Sequence, residues 1–74
     1  MMKEWQIEHL KKRYPQGTRI RLLHMNDPYN PVEPGTTGTV DMVDDAGQIH
    51  MHWDNGRSLA VCPEVDQFEV IGRE

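Results

Sequence analysis

The chain has 74 residues, a net charge of −4 and a single cysteine, Cys62. A chain of this length forms one domain with a small core, which leaves little room for a deep catalytic cavity. One cysteine excludes an intrachain disulfide and favours a reducing compartment, and no segment approaches the ~20 apolar residues of a membrane span. We therefore expect a cytoplasmic, non-enzymatic protein that needs no cofactor and no membrane.

Residues 3–14 predict an N-terminal helix, because good helix formers dominate this segment and a proline follows it. Ile7, Leu10 and Tyr14 fall on one face of the helix and are expected to pack inward. Trp5 lies on the opposite side of the helical wheel. Either the helix begins after Trp5, or the indole covers a separate part of the core, or it is exposed and meets a partner.

After the helix, alternating apolar residues and turn signals predict five short strands. In the first strand, Ile20 and Leu22 are expected to face inward and Arg19 and Arg21 outward. Residues 25–35 contain three prolines and form a long, stiff loop. The predicted strands are 18–24, 36–43, 48–53, 57–61 and 67–71, with a single helical turn over 62–66.

The first hairpin is predicted to turn through residues 44–47, with Val43 facing Gln48. The absent side chain of Gly38 then makes room for the indole of Trp53. Three cross-strand pairs follow from this register: Met42 with Ile49, Val40 with Met51, and Gly38 with Trp53.

The second hairpin has two possible turns. A two-residue type I′ turn at Asn55-Gly56 would put His50 and His52 on the apolar face. A three-residue loop over 54–56, closed by Gly56 in a left-handed bulge, keeps the apolar residues together, and we favour it. This register pairs Trp53 with Arg57, Met51 with Leu59, and Ile49 with Val61.

Five short strands with tight turns are expected to curl into a small barrel. The sequence therefore predicts a mostly-β fold, a five-stranded SH3-like barrel over residues 16–74, with a helix over residues 1–15 packed on it as part of one domain. An OB-fold is the alternative, although it usually needs a longer chain.

From Leu10 onward the chain resembles a family of small bacterial domains, domain of unknown function 4314. The residues that carry the resemblance are Gly17-Thr-Arg-Ile-Arg-Leu, Pro34-Gly-Thr-Thr-Gly-Thr-Val, Asp44-Asp-Ala-Gly-Gln-Ile-His, Trp53-Asp-Asn-Gly, Leu59-Ala-Val and Asp66-Gln-Phe-Glu-Val-Ile. The resemblance implies a compact domain of bacteria and their mobile elements. It carries over no catalytic residue.

Three patterns could indicate chemistry. His50 and His52 share one face of a strand and could begin a zinc or nickel site, but the recognised ligand spacings are missing, so we predict no metal. Cys62 is expected to be a small buried side chain rather than a nucleophile. The acidic residues around the first hairpin do not have the spacing of a calcium loop and are expected to be solvated.

The long loop is the leading candidate for function, because rigid loops on a scaffold often carry binding residues. We expect a protein or peptide partner in an aromatic-lined cleft, with the Tyr29 ring packed and its hydroxyl in water. The residues of this predicted ligand surface are Asp27, Tyr29, Trp53, Asn55 and Arg57.

The alternative is a nucleic-acid-binding domain. Residues 1–24 hold six basic and two acidic residues, whereas residues 25–74 hold two basic and ten acidic ones. The basic end could contact phosphates while Trp5 or Tyr14 stacks on a base, but the acidic remainder would repel a polyanion. The residues of this alternative surface are Lys11, Lys12, Arg13, Arg19 and Arg21.

Overall fold

A computed structural model describes residues 2–73 as one helix and one antiparallel sheet. The elements are α1 (Glu4–Arg13), β1 (Thr18–His24), β2 (Thr37–Val43), β3 (Ile49–Trp53) and β4 (Gln67–Arg73). The sheet order is β3-β2-β1-β4, so β3 and β4 are its edges. The fold is mostly β, as predicted, but the described residues form an open sheet of four strands, and the expected five-stranded barrel is wrong.

Helix α1 begins one residue later and ends one residue earlier than predicted. At its start, the Gln6 side chain accepts a hydrogen bond from the N–H of Lys3 at 2.8 Å. Leu10 packs against the core, and Tyr14, just after the helix, is buried. Trp5 lies inside the helix and is 66% exposed, so the indole is neither before the helix nor buried in a separate part of the core. No helix within residues 2–73 is long and apolar enough to cross a membrane.

The core lies between the inner face of the sheet and the segments that cover it. Ile20 and Leu22 of β1 are fully buried, whereas Arg21 is exposed, so the predicted alternation is confirmed. Phe68 of β4 extends the core to the end of α1, where its ring meets the Tyr14 ring edge-on at 5.4 Å between centroids. The buried hydrophobic residues are Tyr14, Ile20, Leu22, Met25, Val32, Val40, Val43, Ile49, Met51, Trp53 and Val61.

The β2–β3 hairpin has the predicted register at its open end only. Gly38 pairs with Trp53 and Val40 with Met51, as expected. A bulge at Asp41 then shifts the pairing by one residue, so the predicted Met42–Ile49 pair is wrong. Ile49 instead pairs with Val43, which is buried, and Met42 turns outward at 49% exposure.

The turn of this hairpin is also one residue shorter than predicted. The N–H of Asp44 donates to the carbonyl of Gln48 at 3.0 Å, so residue 44 faces residue 48 and the loop is 45–47. Gly47 closes the loop at φ +83°. The Asp44 side chain accepts hydrogen bonds from the N–H groups of Ala46 and Gln48 and holds the turn.

After β3 the chain turns through the favoured three-residue loop. The N–H of Trp53 donates to the carbonyl of Arg57 at 2.9 Å, and Gly56 has φ +90°, so this register is confirmed. Ile49 and Val61 also pair as predicted, but only as an isolated bridge, and the predicted strand 57–61 is wrong. Between these ends, the carbonyl of Leu59 accepts the indole N–H of Trp53 at 2.8 Å, because a buried indole needs an acceptor.

Candidate functional site

The loop over residues 25–35 is irregular but firmly attached at both ends. Met25 and Val32 are buried in the core, and the N–H of Val32 contacts the Met25 sulfur at 3.4 Å. Next to Met25, the N–H of Asn26 donates to the Asp66 carboxylate at 2.7 Å. The other oxygen of Asp66 accepts the N–H of Cys62 at 2.8 Å. The start of the loop is thereby tied to the turn that precedes β4.

The tip of the loop presents an aromatic side chain to solvent. The Asp27 carboxylate accepts hydrogen bonds from the N–H groups of Tyr29 at 2.8 Å and Asn30 at 3.4 Å, which closes a local turn. Tyr29 itself is 92% exposed, so the expectation that its ring is packed is wrong. The backbone below the ring is therefore held in place while the ring remains in water.

Arg57 joins the loop to the turn after β3. Its guanidinium donates to the carbonyl of Pro31 at 2.9 Å and to that of Asn30 at 2.6 Å. Its own N–H donates to the side chain of Asn55 at 3.0 Å, so the turn is ordered as well. We call residues 27–31 and 54–57 the loop–turn surface.

The predicted ligand residues do not all reach this surface. Asp27, Tyr29, Asn55 and Arg57 lie on it. Trp53 is 3% exposed and belongs to the core, so the two aromatic rings do not line a common cleft.

Asp54 belongs to the predicted turn, although it was not among the predicted ligand residues, and it connects the turn to two strands. Both of its oxygens bind the Arg19 guanidinium, at 2.8 and 2.7 Å, and one also accepts the Thr37 hydroxyl. These hydrogen bonds, that of Arg19 above all, hold the pKa of Asp54 well below its usual range. Asp54 and Asp66 bind partners 35 and 40 residues away, so no local pattern in the sequence indicates either contact.

The predicted basic surface is largely neutralised by contacts within the chain. The Lys11 ammonium lies 2.9 Å from the Asp45 carboxylate, and this hydrogen bond raises the pKa of Lys11. Arg21 approaches Glu69 at 3.4 Å, and Arg19 is held by the turn as described above.

The remaining two basic residues of that surface lie near the end of α1. Arg13 stacks over the Tyr14 ring at 5.7 Å, and Lys12 is exposed. Because three of the five cations face carboxylates, the five do not form a continuous positive patch.

Each of the two strand histidines contacts an aspartate. His50 lies 2.8 Å from the Asp44 carboxylate, and His52 lies 3.7 Å from that of Asp41. The N–H of Gln48 and the His50 side chain both lower the pKa of Asp44. Within residues 2–73 no group of three or more His, Cys, Asp or Glu side chains could hold a metal ion.

A shallow cleft of about 320 Å³ lies beside α1. Trp5, Leu10 and Met2 supply its apolar wall, and Glu64 lies on the side of the turn that precedes β4. A partner that contacts the exposed Trp5 side chain would have to bind at this cleft.

The fold and the site together define a small mostly-β domain with an N-terminal helix and an anchored, aromatic-tipped loop. The model of one protein family, described as Domain of unknown function (DUF4314), matches residues 3–71, and the chain belongs to that family. The match confirms the resemblance and extends it through α1. No curated protein and no solved structure matches the chain.

Proposed function

We propose that the chain is a non-catalytic binding module that holds an extended protein segment on the loop–turn surface. The observation that carries this proposal is Tyr29, 92% exposed at the tip of a loop whose backbone is held by Asp27 and Arg57. A large ring on a fixed backbone gives contact area while little conformational entropy is lost on binding. Aromatic residues in such positions commonly dominate the free energy of protein association.

The surroundings of Tyr29 indicate the kind of segment that would bind. Pro28 and Pro31 lie on either side of Tyr29 in the chain, and both are exposed. Apolar side chains of a partner could therefore pack beside them. The chain has a net charge of −4, so carboxylates remain in excess after Lys11, Arg19 and Arg21 are paired, and this favours a partner segment with basic residues. The proposed ligand is therefore an extended, basic segment with at least one large apolar side chain.

Selection from a displayed library of linear peptides tests this proposal without a prior choice of partner. Peptides enriched on the wild-type domain should bind the Tyr29→Ala variant at least tenfold more weakly, as expected when an aromatic hot spot of about 2 kcal/mol is removed. Tyr29→Phe should retain most of the affinity, because the ring is preserved. Trp5→Ala is the matched control, since it removes another exposed aromatic side chain from a different surface.

Two results would contradict the proposal. In the first, the selected peptides bind Tyr29→Ala as tightly as wild type, or lose affinity only in Trp5→Ala. In the second, the domain shifts single-stranded RNA in low salt, and the shift survives Tyr29→Ala but disappears when Arg19 and Arg21 are both changed to alanine. The second result would favour the nucleic-acid alternative, against which the carboxylate contacts of Arg19 and Arg21 argue.

A further inference from the structure

The turn after β3 contains the one asparagine of this chain that is followed by a glycine. The three asparagines and the residues that follow them are Asn26-Asp27, Asn30-Pro31 and Asn55-Gly56. The backbone nitrogen after an asparagine can attack Cγ of its side chain. Glycine presents this nitrogen without a β-carbon beside it, whereas proline has no N–H to lose. Asn55 is therefore the asparagine most open to this reaction in the unfolded chain.

The fold engages both of the groups that the reaction needs. The N–H of Gly56 donates to the carbonyl of Trp53 at 2.9 Å. The side-chain oxygen of Asn55 accepts the N–H of Arg57 at 3.0 Å. A succinimide ring between residues 55 and 56 would remove the N–H of Gly56, and its hydrogen bond to Trp53 would be lost. The turn must therefore open before the ring can form.

Contacts with distant segments hold the turn on both sides of the Asn-Gly pair. On one side, Asp54 is bound by the Arg19 guanidinium and by the Thr37 hydroxyl. On the other side, Arg57 donates to two backbone carbonyls of the loop over residues 25–35. Opening of the turn has to break these contacts as well, so the open state is rarer than in an isolated hairpin.

We propose that Asn55 is a deamidation site that the fold protects, and that isoaspartate formed there prevents the turn from closing in its native register. The nitrogen of Gly56 bonds to Cγ of Asn55, and its proton leaves with the side-chain NH₂ as ammonia when the Cγ–Nδ2 bond breaks. Water then opens the succinimide at one of its two carbonyls. Attack at Cγ gives aspartate, and attack at the backbone carbonyl gives isoaspartate.

Isoaspartate lengthens the backbone of the turn. The main chain then runs through Cβ and Cγ of residue 55, so the loop between Trp53 and Arg57 is one backbone atom longer. The length of this loop sets the pairing of these two residues, and the longer loop displaces Arg57 from the carbonyls that it binds. An ordinary aspartate keeps the backbone length and an oxygen acceptor for the Arg57 N–H. The change in the turn is independent of any partner on the loop–turn surface.

Peptide mapping by mass spectrometry tests the protection. Folded protein and protein unfolded in urea are incubated in the same mildly alkaline buffer, and deamidation is followed at each asparagine. In the folded wild type, Asn55 should deamidate at least about tenfold more slowly than in urea, because the turn must first give up its hydrogen bonds. In urea, Asn55 should react before Asn26 and Asn30.

Two arginine variants show whether the distant contacts provide the protection. Arg19→Ala should raise the deamidation rate of the folded protein several-fold, since Arg19 holds Asp54 beside the reacting pair. It should leave the rate in urea unchanged, because Arg19 is far from Asn55 in the chain. Arg21→Ala is the matched control: it removes an ion pair with Glu69 from the same strand and should deamidate like wild type.

The effect of isoaspartate is measured on the deamidated form that is separated by ion exchange and refolded. It should melt at a lower temperature than the Asn55→Asp variant, which has the same charge without the longer backbone. Equal melting temperatures of these two forms would overturn the proposed change in the turn. Equal deamidation rates in the folded and unfolded wild type, or a folded-state rate that Arg19→Ala leaves unchanged, would overturn the protection. Faster reaction at Asn26 in urea would overturn the assignment of the site.

Discussion

Gly38→Ala should destabilise the domain by steric overlap at the β2–β3 pair. A β-carbon at this position would lie 2.8 Å from Cε3 of Trp53, 2.9 Å from the carbonyl oxygen of His52 and 3.0 Å from the Trp53 α-carbon. Two of these three atoms belong to the backbone of β3. The indole cannot swing aside, because it is 3% exposed and its N–H is bonded to Leu59. The two strands must therefore separate locally.

The magnitude follows from the cost of overpacking a close-packed core, about 1–3 kcal/mol. For a domain of this size each kcal/mol lowers the melting temperature by roughly 4–8 °C, so a loss of about 2 kcal/mol corresponds to roughly 8–16 °C. Thermal melts followed by circular dichroism, together with urea titrations, measure both quantities. The slope of the urea transition should be unchanged if the variant unfolds in a single step.

The direction of the change in stability separates steric overlap from the usual effect of replacing glycine by alanine. Where space is free and φ is ordinary, Gly→Ala stabilises a protein by about 0.4–1 kcal/mol, because the unfolded chain loses freedom. Gly38 has no positive φ, so the overlap alone opposes the change. Combining Gly38→Ala with Trp53→Leu should cost less than the sum of the single changes, since one contact is removed. A Gly38→Ala domain that melts at or above the wild-type temperature would refute the reasoning.

Gly56→Val should lower the free energy of unfolding by about 1–2 kcal/mol, because the backbone at φ +90° is strained for a β-branched residue, and Gly56→Asn should lower it much less. A urea midpoint of Gly56→Val equal to that of wild type would contradict this. The lowered pKa of Asp54 contributes stability above about pH 4 that is lost as the pH falls, so the melting temperature of Asp54→Asn should fall less steeply between pH 5 and 2 than that of wild type. Arg57→Ala should quicken amide exchange at Asn30 without unfolding the sheet. Melts with and without EDTA should coincide, and a drop of more than a few degrees would show that His50 and His52 bind a structural metal.

The elements that could be predicted from the sequence are those determined by local signals. The helix stops where Pro15 follows, and β1 alternates because one of its faces is buried. The turn at Gly56 was predictable because only one loop length keeps the apolar residues of β3 and those that follow it on one side. In each case residues close in the chain decide the outcome.

The elements that were predicted wrongly depend on choices that the local sequence leaves open. Met42 and Val43 are both apolar, so alternation alone cannot show that a bulge at Asp41 buries Val43 and exposes Met42. The segment 57–61 has strand-like residues, but its central carbonyl is used by the indole of Trp53, which is a contact between side chain and backbone. The described residues therefore form an open sheet of four strands, whereas five short strands with tight turns had predicted a closed barrel.

The candidate site likewise has some features that local sequence predicts and others that depend on contacts with distant residues. Tyr29 and the prolines around it identify the loop from sequence alone, because they exclude regular structure and place an aromatic ring in a polar segment. Whether that ring plugs the fold or faces solvent depends on Met25 and Val32, which fill the core in its place. The attachment by Arg57 could not be predicted, since its acceptors are backbone carbonyls of Asn30 and Pro31.

The charge asymmetry of the chain has a different meaning once the structure is considered. A basic N-terminal third and an acidic remainder could have formed a cationic surface for an external polyanion. In the fold, Lys11, Arg19 and Arg21 each reach a carboxylate of the acidic part. Exposed pairs of this kind add little stability, typically 0–1 kcal/mol. Their larger effect is on recognition, because a phosphate would have to displace a carboxylate at each site, whereas a ligand on the Tyr29 loop displaces only water.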